Sequence, residues 1–180
     1  MKFVKGILDN CGFSNIWDTQ FYINETWLKK SVQLRLQDQY KQVWSTTVHE
    51  SSKSVNYRIF KEIFEFEKYF DILDRNDCIT LCKFRTSNHK LPIEVGIWYD
   101  IDRSDRLCHL CDTESIGDEF HYLLECKSLN DTRKRLLDKF YCSRINTVKF
   151  QKLMNIKHRP KLRKLCQFIK FINKSVCPPG

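Results

Sequence analysis

Three cysteines and one histidine between residues 108 and 126 constrain this chain more than any other feature in it. Cys108, Cys111, His121 and Cys126 follow the order C-x2-C-x9-H-x4-C. A C-x2-C turn brings two thiolates to one point with little backbone strain, and zinc takes four soft or borderline ligands in a tetrahedron. A structural Zn2+ held by these four side chains is the expectation. Gly117-Asp118 supplies a turn and a cap for a short helix over residues 119–125. That helix carries His121 on its first turn, delivers Cys126 at its end, and leaves Phe120, Leu123 and Leu124 to pack inward. His109, between the first two cysteines, is the competing candidate. Four protein ligands fill the shell and leave no position for a reacting water, so no enzymatic role is expected of the site.

The rest of the chain reads as helical. Of its 180 residues, 42% are hydrophobic and 13% aromatic, enough for a real core. Five glycines and four prolines are too few for an architecture built on many turns, so a mainly α fold is expected. Six cysteines lie outside the pattern: Cys11, Cys78, Cys82, Cys142, Cys166 and Cys177. There is no signal-like start and no apolar run of membrane length, which points to a reducing intracellular compartment, nucleus or cytoplasm, and to no membrane partner. There, cysteines signify metal or burial rather than disulfides.

Phe3, Ile7, Leu8 and Cys11 recur at helical spacing up to Gly12. Asn24 caps a long helix running to about Val48, with Leu28, Val32, Leu36, Tyr40 and Val43 on one side. Residues 51–54, Ser-Ser-Lys-Ser, break the pattern as a hinge or a plain turn. The aromatics Tyr57, Phe60, Phe64, Phe66, Tyr69 and Phe70 read as core. A helix over residues 73–84, capped by Asp74, turns Cys78 and Cys82 one way, toward burial. Pro92 and Gly96 argue for a loop and an irregular segment, and Asp100, Asp102 and Asp105 for a solvated stretch. Asn130 caps a helix with Leu136, Leu137, Phe140 and Tyr141 inward. Pro160 opens a last helix whose apolar face is Leu162, Leu165, Cys166, Ile169 and Val176, and Pro178-Pro179-Gly180 ends it. Three regions follow: a helical region 1–89, a small embedded zinc-binding subdomain 90–127, and a basic helical tail 128–180, folding as one cooperative unit.

Charge is divided unevenly. The net charge is +9, yet residues 1–126 hold 16 Lys and Arg against 20 acids. Residues 127–180 hold 15 against two, Asp131 and Asp138. The whole positive excess follows the last ligand, as for a chain that meets a polyanion such as RNA or DNA. Arg133, Lys134 and Arg135 begin the helix after the site. Arg163, Lys170 and Lys174 lie opposite the last helix's apolar face, within about 40° of one another. These six are the candidate phosphate contacts, and Trp98 and Tyr122 the candidates for base stacking.

Phe84-Arg85-Thr86-Ser87-Asn88-His89, followed by the Cys108-Cys111-His121-Cys126 pattern, resembles the zinc-binding C-terminal region of non-LTR (LINE-type) retrotransposon reverse transcriptases. There an Arg-Thr-x-His-like element precedes a CCHC knuckle. The resemblance covers about residues 80–135 and is weaker before residue 80, which would match the helical connection after the polymerase. It implies a mobile-element origin and handling of the element's own RNA or its DNA target. A polymerase of that family needs paired aspartates, and this chain has no Asp-Asp pair. The resemblance therefore implies a tail module without the catalytic core. The competing reading is a zinc module that docks on a polymerase or endonuclease domain of the same element.

Overall fold

Helix signals in the sequence translate into ten α-helices in a computed structural model, which describes residues 2–19 and 22–176. Cys177 and the terminal Pro-Pro-Gly lie outside the described residues. The fold is mainly α. Among the described residues the only β pairing is an isolated bridge between Leu107 and Ile116. No described helix is long and apolar enough to cross a membrane. The chain divides into two compact units, Met1–Glu50 and Ser51–Gly180, with the boundary at the serine-rich stretch.

The first unit holds α1 (Lys2–Asn10), α2 (Ser14–Thr19) and α3 (Glu25–Glu50). Gly12, at φ 78°, ends α1 in a left-handed cap. Its amide bonds to Asp9 O and the next amide, of Phe13, to Leu8 O, which satisfies carbonyls the helix leaves open. Asn24 caps α3 as expected, its Oδ1 accepting from Trp27 N at 3.0 Å. The expected inward face of α3 is only half realised. Leu28 and Val32 are half-buried, but Leu36, Tyr40 and Val43 face solvent.

The second unit begins with α4 (Tyr57–Phe60) and α5 (Tyr69–Ile72), two short helices with irregular chain between them. The aromatic cluster is core only in part. Phe60 and Tyr69 are buried, while Phe64, Phe66 and Phe70 are exposed, because the interruption of the helix breaks their common face. Helix α6 (Arg75–Arg85) is capped by Asp74, whose Oδ1 accepts from Asp77 N at 3.0 Å. Next comes α7 (Pro92–Trp98), where an irregular segment was expected. Pro92 sits in the first turn, where the missing N–H is no loss. Gly96 leaves room for the Arg106 side chain, which a Cβ would meet at 2.5 Å. Asp100, Asp102 and Asp105 are exposed, as expected.

Beyond the cysteine–histidine loop come α8 (Asn130–Leu136), α9 (Thr147–Met154) and α10 (Arg159–Val176). Asn130 does not cap α8, because a 3-10 turn, Lys127–Leu129, leads directly into the helix. Of the apolar set after it, Phe140 is exposed. Helix α10 lays Leu162, Leu165, Cys166, Phe168, Ile169 and Ile172 into the core, packing against α6 and α8. The same buried cluster takes in Cys108, Leu123, Leu124 and Cys126. The cysteine–histidine loop thus shares the core of the second unit and has none of its own.

Arg85 organises the entry to this core. Its guanidinium is 4.5 Å from the centre of the Phe60 ring and donates to both carboxylate oxygens of Glu67 at 3.1 Å. It also donates to the carbonyl of Met154 at the end of α9. A buried cation tied to three elements is costly to remove, because its partners are then left unsatisfied.

Candidate metal centre

The loop that carries the site is closed by backbone bonds on both sides of the Leu107–Ile116 bridge. Cys108 N donates to Ser115 O at 2.8 Å and Gly117 N to Arg106 O at 2.8 Å. Gly117 permits a close approach: a Cβ there would meet Pro92 Cγ at 2.9 Å. Its carbonyl accepts from Ile93 N at 3.2 Å, which pins the loop to the start of α7. Asp118 caps the next turn, Oδ1 accepting from His121 N at 2.9 Å, where the sequence places it. Residues 119–125 then form one helical piece that widens into a π-type turn over His121–Glu125. Cys126 N reaches His121 O across five residues at 2.8 Å.

Cys108, Cys111, His121 and Cys126 converge, their ligand atoms all within 4.8 Å of one another. Cys108 Sγ and Cys126 Sγ are 3.9 Å apart, and Cys111 Sγ is 3.4 Å from His121 Nε2. A tetrahedron with bonds of about 2.0–2.3 Å has edges of about 3.5–3.8 Å, so these four residues could hold a metal ion. Three ligands are buried and Cys111 is half-exposed at the mouth. His109, the competing candidate, is exposed and outside the cluster. Cys78, Cys82 and His89 form no second cluster among the described residues.

Neighbouring groups tune the ligands. His121 Nδ1 lies 3.4 Å from Glu125 Oε2, which leaves Nε2 turned toward the thiols. Leu110 N donates to Cys108 Sγ at 3.4 Å, as amides do around a bound thiolate. At Cys111 burial works against ionisation, but hydrogen bonds from Thr113, Cys108 and His121 outweigh it and bring the thiol down to about 6. At Cys126 burial and the two neighbouring thiols act together and push it up to about 12. A cation bound here would displace that proton, which would couple its uptake to pH.

Two buried polar clusters brace this centre. Arg133 Nε donates to Leu123 O at 2.7 Å and its Nη2 to Cys126 O at 2.9 Å, gathering carbonyls that the end of the π-type turn leaves open. Glu119, two residues before His121, accepts from Ser87 Oγ at 2.7 Å and Asn56 Nδ2 at 2.6 Å, with His89 Nε2 at 2.8 Å. Ser87 and His89 thus buttress the cysteine–histidine loop from outside it. Nothing in the local sequence singles out Asn56 or Glu119, which are 63 residues apart.

The six candidate phosphate contacts fare unequally. Arg133 is 2% exposed and wholly engaged with backbone, so it is not a surface contact. Lys134 and Arg135 on α8, and Arg163, Lys170 and Lys174 on α10, face solvent. Lys170 is held by Asp77 at 2.6 Å, and Arg163 stands 3.9 Å from Asp74. Of the two aromatic candidates, Tyr122 is fully buried and Trp98 is 68% exposed. Set against known protein families, curated proteins and solved structures, the chain matches none.

Proposed function

We propose that this chain is a non-catalytic, zinc-stabilised module that binds nucleic acid, similar to the C-terminal part of a retrotransposon reverse transcriptase. The observation behind it is the placement of charge. Of the 15 Lys and Arg after Cys126, only Arg133 and Lys149 are buried, against two acids in the same stretch. One-sided surface charge repels itself, and phosphate neutralisation is the natural use for it. Zinc is favoured for the metal by the donor set, since thiolates with one imidazole suit it and hard oxygen-seeking cations do not. The resemblance over about residues 80–135 supports a mobile-element origin and an RNA or target-DNA partner.

The test is nucleic-acid binding by purified protein across a salt series, with zinc loaded and with zinc chelated. The logarithm of affinity should fall linearly with that of salt concentration, each neutralised phosphate adding about 0.7–0.9 to the slope. Replacing Lys134, Arg135 and Lys174 together by Gln should flatten the slope with folding intact. An absence of binding at low salt sinks the proposal and favours a module that docks on a polymerase or endonuclease domain. That second reading has its own support in the first unit, where Leu36, Tyr40 and Val43 present an exposed apolar stripe on α3.

A further inference from the structure

A groove of about 570 Å³ opens in the second unit between α6, the loop after it, the end of α7 and α10. Trp98, Lys83, Lys90, Lys170, Asn88 and Asn173 are among the side chains that line it. We infer that this groove takes one unstacked nucleotide of a single-stranded nucleic acid, with the base on Trp98 and its phosphates toward Lys83 and Lys90. The inference rests on the nucleic-acid reading above and gives it a place and a strand preference.

Three observations carry it. Trp98 is the large aromatic of the lining that remains mostly exposed, at 68%, although a side chain of that size is normally drawn inward. An indole in that position is a platform on which a base can stack. Among the described residues, three lysines and no carboxylate line the groove. Lys170 is tethered to Asp77, and Lys83 and Lys90 are the other two cations of the lining. The Asn88 and Asn173 amides each offer a donor and an acceptor, the complement of a base edge. A volume of this order suits a single nucleotide. Bases in a duplex are stacked on their neighbours and cannot reach an indole inside a groove, whereas a single strand can turn one out.

The experiment uses the full chain with zinc loaded and fluorescein-labelled RNA and DNA single strands of about twelve nucleotides, each with its duplex, read by fluorescence anisotropy. Single strands should bind more tightly than duplexes, and the RNA and DNA arms show which sugar the groove accepts. Trp98→Ala should weaken single-strand binding by about 5- to 150-fold, as for loss of one stacked base, without changing the salt slope. Trp98→Phe should restore most of it. The Lys83→Gln, Lys90→Gln double variant should lower the slope by about 1.4–1.8. Trp98 is exposed, so its truncation removes little core packing, and a thermal melt of each variant verifies folding. Wild-type binding that Trp98→Ala leaves unchanged overturns the groove and leaves the basic-surface reading standing, as does equal binding of duplex. No binding of any nucleic acid overturns both.

Discussion

Helices α3 and α10 are the longest described in the chain, 26 and 18 residues, and they make opposite use of their apolar side chains. Helix α3 buries only Val48, while α10 buries six residues. Their sequences forecast part of this. Leu28, Val32, Leu36, Tyr40 and Val43 line up on one side of α3, but Trp27 and Leu34 fall on the other, whereas α10 gathers Leu162, Leu165, Cys166, Phe168, Ile169 and Ile172 on one side. The rest of the difference lies in what meets each face. Helix α10 finds α6 and α8, whose ends are fixed by an Asp cap and by the metal loop. Periodicity tells which side of a helix is apolar; the partner element decides whether that side becomes core.

Metal removal should break the comparison most strongly. Loss of a structural zinc forfeits binding free energy of about 10–16 kcal/mol in small metal-folded peptides, comparable to the whole stability of a domain. Chelation, or Cys126→Ser, should open the second unit to limited proteolysis while cleavage within α3 stays unchanged. Equal effects on both units would mean that they fold together.

A pair of truncations sharpens it further. Phe168 is fully buried, so Phe168→Ala should cost about 3–5 kcal/mol in urea unfolding. Leu36→Ala, on a side chain 44% exposed, should stay within about 0.5 kcal/mol. A Leu36 cost as large as that of Phe168 would show that the α3 stripe is packed in solution.

Acid should give the smallest separation. Burial opposes ionisation of Glu119, but His89, Ser87 and Asn56 outweigh it and hold the carboxyl below its ordinary value of 4.5. A depressed carboxylate contributes stability that is complete above the unfolded value and is lost as pH falls through the folded one. The second unit should therefore weaken below about pH 4.5. Glu119→Gln should cost about 1–3 kcal/mol at neutral pH and show a shallower acid loss. Parallel pH profiles for the variant and the wild type would detach the network from acid stability.

The convergence of Cys108, Cys111, His121 and Cys126 was legible in the sequence because such a knuckle is local: spacing fixes which atoms can meet, and the Asp118 cap needs only its own turn. The caps Asn24 and Asp74 were legible for the same reason. The fate of neighbouring cations was not. Arg133, Lys134 and Arg135 are consecutive and chemically alike, and only the rotation of α8 against the π-type turn decides that Arg133 goes inward. Pro92 misled because its effect depends on position: it breaks a helix from within and begins one from the first turn. The groove lies across α6, α7 and α10, so no stretch of sequence contains it.

The buried position of Arg133 has a consequence for charge neutrality. Three thiolates around a divalent ion would leave a net charge of about −1 at a site where three of the four ligand residues are buried. An isolated charge of that kind is strongly disfavoured in a low-dielectric core. Arg133 brings one positive charge to the same place: burial lowers its proton affinity and the Cys126 thiolate supports it. With a divalent ion bound, the centre and this guanidinium would together carry no net charge, so the ion and the arginine would each make the other's burial tolerable.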